Sequence, residues 1–380
     1  MGIKVTEKLK DHKNLKTFIQ HGFVYKGETS SQVYGFSIFS ATNKFWINPE
    51  TKQWDCKVSG LSGGFQQFLV EVHKLSLKYF IGQKLANLKK SRGLERTTLK
   101  QHQIGYNPYN DSYIIPVFDA DNKNIWDLRV VNAKTKKIYG TAGCKTGLYG
   151  WETMGEAKIV WLCEGEWDKM AMTEILRNTD RLGKETAVSV PGALTFKSEW
   201  NSLFKDKDVV VAFDHDLPKK MDEIIIPGAG PAGSMKVYKV LKNLVRKIKF
   251  IHWDEKLKNG YDVRDLLIKT KKHSLTYKKL TSYFQNDPPV DENFKKEILN
   301  EGKSNEELFK GPLISHEKVY EEYRKWLHLP NTDVLDILFG TLIANRLDGD
   351  PLWLFLVGPS GATKSELLMS VFLVLIRRSL

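Results

Sequence analysis

A chain of 380 residues with 41% hydrophobic and 27% charged residues has an ordinary globular composition and room for two or three domains. Its 58 basic against 45 acidic residues leave a formal net charge of +13, which favours a polyanionic partner, nucleic acid foremost. Cys56, Cys144 and Cys163 make no disulfide framework, the N-terminus lacks a secretory core, and no run reaches the roughly 20 apolar residues of a membrane span; a cytoplasmic protein, neither secreted nor membrane-spanning, is expected.

In chain order, residues 1–80 alternate short aromatic strands with turns. KFWINPETKQWDC reads as a hairpin turning from Asn48 to Lys52, and Gly63-Gly64 opens an amphipathic helix. Phe36, Phe39, Phe45, Trp46 and Trp54 are expected to build this core, some of them alternatively a stacking platform for single strands. Residues 78–100 read as basic helix, with Lys84, Lys89, Lys90, Arg92, Arg96 and Lys100 either facing phosphates or forming a solvated face. YIIPVFD and IWDLRVVN flank residues 120–124 as a second hairpin.

From 158 to about 269 apolar strands alternate with helical segments: IVWLCE, WDKMAMTEILRN, AVSVPGAL, FKSEWNSLF, VVVAFDHD, SMKVYKVLKNLVRK, KIKFIHW. That alternation predicts a parallel sheet. Two runs end abruptly in carboxylates, Glu164 and Asp168 after the first, Asp214 and Asp216 at the end of the other. Ligands of open α/β sheets sit outside the carboxyl ends of the strands, and converging carboxylates call for a hard cation such as Mg²⁺ or Mn²⁺. The alternative is a helix cap beside an acidic turn. Between Asp216 and Gly233 lies an extra loop ending in Gly-Ala-Gly-Pro-Ala-Gly, read as a hinge or template lip rather than a nucleotide loop. Asp262 and Asp265 of YDVRDLL are expected to cap a helix, the alternative being that they lean toward the site.

EGEWD followed by DHD resembles the Toprim signature shared by bacterial-type primases, topoisomerases and some nucleases. Phe45, Asn48, Pro49, Trp54, Cys56 and Gly63-Gly64 resemble the zinc-ribbon module of those primases, but Ser59, Gly35 and Ile38 stand at ligand positions, so no zinc is expected. The resemblance implies a basic subdomain in which Arg129 and Lys145 face template or nucleotide phosphates, though both also read as surface charges. It implies that Glu164, Asp214 and Asp216 hold one or two metal ions, with Asp168 behind them or on a second ion. Glu164 is alternatively the general acid/base.

Residues 272–312 are polar and Pro-dotted, a linker with some helix. Two amphipathic helices follow, then a strand LWLFLVG and GPSGATKS, the context of a P-loop in which Gly358, Gly361, Lys364 and Ser365 would cradle phosphates. Thr363 occupies the place of the second motif glycine, and the chain stops at Leu380 before a second acidic strand. The expected architecture is multidomain α/β: a ribbon-like module (1–80), a basic α+β subdomain (81–157), a Toprim domain (158–271), a linker (272–312) and a truncated P-loop ATPase (313–380). The expected function is primer synthesis on single-stranded DNA from NTPs, in a phage- or plasmid-like primase–helicase with helicase and replisome partners and no membrane. The alternatives are a Toprim nuclease and a non-catalytic single-strand-binding or loading module.

Overall fold

The computed structural model describes residues 15–119, 121, 124–221, 224–290, 295, 315–329, 331–344, 352, 354–357 and 367. The chain divides into two compact units, 1–290 and 291–380.

The first unit opens with helix α1 (Lys16–Gln20) and an antiparallel five-stranded sheet in sequential order: β1 (Val24–Glu28), β2 (Val33–Ser37), β3 (Ser40–Ile47), β4 (Trp54–Cys56) and β5 (Ser62–Gly63). The β3–β4 hairpin pairs Phe45 with Cys56 and Ile47 with Trp54. Asn48 Oδ1 makes its turn by accepting the N–H groups of Glu50 (2.9 Å) and Thr51 (3.0 Å). Phe39, Phe45 and Trp54 stack inside at centroid separations of 5.0–5.6 Å, against Phe68 of helix α2 (Phe65–Tyr79). Cys56 is buried with its thiol toward the Phe39 carbonyl, Gly35 and Ile38 are buried beside it, and Ser59 is exposed. Phe36 and Trp46 are half-buried, the latter against Tyr34.

The basic stretch is three helices rather than one: the end of α2, α3 (Gly82–Arg92) and α4 (Arg96–Gln101). The second break falls at Gly93, whose left-handed φ of 68° closes α3 as a C-terminal cap. A second antiparallel sheet follows, β6 (Gly105–Asn107), β7 (Ser112–Phe118), β8 (Ile125–Asn132) and β9 (Ile138–Tyr139), with the expected β7–β8 hairpin. Ile114, Leu128 and Val130 of this sheet share a hydrophobic cluster with Phe45, Phe68 and Val72. Another cluster joins Leu85, Tyr113 and Ile115 to Trp161, Met170 and Ala171. Positions 80 and 157 therefore lie within shared cores, not between separate ones.

The third sheet carries the candidate site. β10 (Ile159–Cys163) lies between β11 (Glu185–Ser189) and β12 (Asp208–Ala212), and β15 (Lys247–Ile251) follows β12, all parallel. The short β16 (Phe284–Gln285) closes the edge antiparallel to β15. A small hairpin, β13 (Lys219–Met221) with β14 (Ile224–Ile226), interrupts the path from β12. Helices α5 (Glu166–Arg177), α6 (Ala229–Leu241), α7 (Val263–Thr270) and α8 (His273–Ser282) complete this part.

Four expectations change. FKSEWNSLF holds a 3₁₀ segment, Ser198–Phe204, in place of an α-helix, with Trp200 and Phe204 buried. Helix α6 begins five residues earlier than expected, inside the Gly-Ala-Gly-Pro-Ala-Gly run. Residues 273–285, expected within a linker, are structured, because Thr276 and Leu280 are buried and Trp161 packs on Tyr277 and Phe284. Leu354–Val357, expected in a strand, form none.

The second unit contains α9 (His316–Trp326) and α10 (Asp333–Ala344), with Leu335, Leu338 and Leu367 buried together. Gly358, Gly361, Lys364 and Ser365 lie outside the described residues.

Candidate acid centre at the strand ends

β10 and β12 pair directly, Cys163 opposite Ala212. Both strands are apolar because both faces are covered, and each releases its chain at the same end of the sheet. Glu164 follows one and Asp214 follows the other, and Glu164 Oε2 accepts the backbone N–H of Asp214 at 3.2 Å. Gly165 then starts α5, which puts buried Asp168 in its first turn.

Two further segments close the centre. His215 pairs with Tyr261 as an isolated bridge, the His215 N–H donating to the Tyr261 carbonyl at 2.8 Å, which carries Asp262 to the acids. Asp262 caps α7 through Asp265 N–H (2.6 Å) and pairs with Arg264 (2.9 Å), while the Arg264 backbone N–H donates to Asp168 Oδ1 at 3.4 Å. Asp216 turns toward α6, where Gly230 N–H donates to its Oδ2 at 2.9 Å. The glycine run is a contact surface: a Cβ on Gly230 would stand 2.2 Å from the Asp214 carbonyl oxygen, and one on Gly228 2.2 Å from that of Asp216. The reading of this run as a hinge or template lip gives way to the start of α6 packed on the acid-bearing turn.

Crowding among these acids is visible in their protonation. Burial first, then Asp168 and other carboxylates, pushes Asp214 up to about 10. Burial with the Asp262 charge raises Asp168 to about 8, and burial with Asp216 and Asp262 raises Glu164 to about 7. Asp262 is raised by burial as well. Carboxylates so placed either hold protons or share a cation, and an all-oxygen set suits Mg²⁺ or Mn²⁺. The acids are gathered without being closed into one shell. The one trio among the described residues with ligand atoms all within 4.8 Å is Glu95, Glu174 and His273, at α4, α5 and α8.

The basic residues divide. Lys89, Lys90 and Lys145 are exposed. Arg92 lies over the Trp167 ring at 4.5 Å, and the charges of Arg264, Asp168 and Asp262 act on it, so it belongs to the rim of the acid centre. Arg129 corrects the expectation of a phosphate contact. It is 4% exposed, pairs with Asp127 (2.6 Å) and Glu166 (3.2 Å), and donates to the Gly147 carbonyl (3.2 Å). Its fork is committed to buried carboxylates and ties the second sheet to the first turn of α5.

Arg264 and Trp167 were not anticipated from the sequence; Asp262, read as a helix cap with a lean toward the site as the alternative, caps α7 and also lies beside the acids. The signal for these was present in YDVRD, an Asp-x-Arg phrase at a helix start, but its distance from the acids is a tertiary matter.

No family model matches the chain, and no curated protein matches it in sequence. Among the solved structures that resemble part of it are two from one phage system. One is the structure of bacteriophage T7 lagging-strand DNA polymerase interacting with primase domains of two gp4 subunits bound to an RNA/DNA hybrid and dTTP, with 18% identity, 52% of this chain and 91% of that chain covered, and a TM-score of 0.39. The other is the primase fragment of the bacteriophage T7 primase-helicase protein, with 16% identity, 63% and 95% covered, and a TM-score of 0.39. At this TM-score the likeness carries no weight for function, which is taken from the acids themselves.

Proposed function

We propose that the chain is a metal-dependent nucleotidyltransferase of the Toprim primase type, synthesising short RNA primers on single-stranded DNA. The observation that carries this reading is the parallel β10–β12 pairing, with Glu164 bonded to the Asp214 backbone and Asp168 and Asp262 beside them. Mg²⁺ or Mn²⁺ held by Glu164, Asp168, Asp214 and Asp216 would neutralise charge on the triphosphate and the departing pyrophosphate. Alternatively Glu164, outside the metal's ligand set and raised to about 7 by burial, takes a proton from the attacking 3′-hydroxyl at neutral pH. Arg92 and Arg264 at the rim bind the anionic nucleotide, and exposed Lys89, Lys90 and Lys145 hold template phosphates. The 358–365 stretch adds, on sequence alone, the phosphate loop of an ATP-binding helicase part.

Primer synthesis from labelled NTPs on single-stranded templates tests this, with Asp214→Asn as the inactive control. Primers made by the wild type and absent with the variant support the reading. Template cleavage in place of primers makes the chain a nuclease, and DNA binding without chemistry makes it a loading module; either outcome removes the proposal.

A further inference from the structure

A cleft of about 350 Å³ opens between the end of α4, strand β7 and the edge of the parallel sheet, and none of the centre's five acids lines it. Its chemistry is unusual for a surface groove. Lys169, on α5, is 2% exposed and lines the cleft, and no carboxylate among the described residues lies within ion-pair distance of its ammonium. It contacts the Tyr149 ring at 4.9 Å and His102 Nδ1 at 3.5 Å, and the Glu152 charge acts on it from the same cleft. Gly150, with φ +89°, makes the space, since a Cβ there would stand 2.5 Å from Lys169 Cε.

His102 Nδ1 also faces the Tyr149 hydroxyl at 3.0 Å. With two donors on Nδ1, the ring hydrogen sits on Nε2, a buried donor with no partner. Glu152 Oε2 is a buried acceptor with no partner. Ten buried side-chain atoms among the described residues lack hydrogen-bond partners, and two of them, His102 Nε2 and Glu152 Oε2, belong to residues that line this one cleft. Unmet buried groups of this kind are costly unless a ligand meets them.

We propose that the cleft binds a guanosine-type nucleotide through its 6-oxopurine base, at a site separate from the acid centre. The residues lining the cleft include two donors, Lys169 and His102, and one acceptor, Glu152, along with the apolar Phe118 and Tyr149. A 6-oxopurine carries the complementary set on one planar ring: a carbonyl and ring nitrogen that accept, and adjacent N–H groups that donate. Adenine presents an amino donor where the carbonyl stands and so meets the ammonium with the wrong polarity. The volume falls at the lower end of the range for small-molecule sites and suits a nucleoside monophosphate.

Calorimetric titration of the full chain with GMP and with AMP, in EDTA so that the acid centre holds no metal, tests the assignment. Saturable GMP binding about tenfold or more tighter than AMP is expected. Lys169→Met and Glu152→Gln should each weaken GMP about tenfold with thermal melts that stay cooperative, and Asp214→Asn should leave it unchanged. Two variants at different positions guard against one failing to fold. Absence of GMP binding, equal affinity for AMP, or loss of binding in Asp214→Asn each overturns the site.

Discussion

Arg129 shows how a single side chain changes meaning once its surroundings are known. Read along the chain it is a basic residue on a strand; in place it balances Asp127 and Glu166 in the interior. Removing one member of a buried ion network leaves charge uncompensated, at a cost of about 3–5 kcal/mol. Arg129→Ala is therefore expected to lower unfolding free energy by about that amount in urea melts, whereas a template-facing arginine would show a weaker DNA affinity at unchanged stability. Lys89→Ala, Lys90→Ala and Lys145→Ala, all at exposed positions, should do the reverse. Each lost phosphate contact should flatten the salt dependence of single-strand binding by about 0.7 in log–log slope.

At the scale of elements, the centre is where strands β10 and β12 meet the starts of α5, α6 and α7. Protonation of the acids links it to stability. Glu164, Asp168 and Asp214 bind protons more tightly in the folded chain than in the unfolded one, so the folded state carries more protons above pH 4. Stability contributed by these groups is present below their ordinary range and is lost as pH rises from about 4 toward about 10. Thermal melts in EDTA should accordingly fall across that window, and millimolar Mg²⁺ should recover stability most at its alkaline end. A pH profile indifferent to Mg²⁺ would speak against a shared cation. Contact of α6 with the Asp214 turn supplies another test. Gly230→Ala places a methyl against the Asp214 carbonyl oxygen. It should cost about 1–3 kcal/mol in denaturant melts and weaken Mg²⁺ recovery with it.

For the whole molecule, unit 1–290 is the piece expected to stand alone. Its C-terminal boundary is decided by side chains beyond 271. Leu280 is fully buried, Tyr277 donates to Glu185 at 2.9 Å, and Phe284 packs on Trp161. A fragment 1–290 should melt cooperatively. A fragment 1–271 should lose several kcal/mol, because a buried leucine alone is worth about 1.5–3 kcal/mol. Equal stability of the two fragments by circular dichroism would restore 272 as the start of a linker.

Sequence by itself determined the parallel α/β segment, both hairpins and the four acids at the strand ends. Apolar runs closed by carboxylates, and Asp/Asn-rich or Asn-Pro turns, are local signals that neighbouring residues suffice to generate. Tertiary structure alone decided what those residues face. It brought Asp262 and Arg264 to the acids through the His215–Tyr261 bridge, buried Arg129, turned a glycine run into a helix contact, and set buried Lys169 beside His102 and Glu152 at an open cleft. Periodicity reports which side of an element is apolar; which charges meet there depends on chain separated by tens of residues, and only packing supplies it.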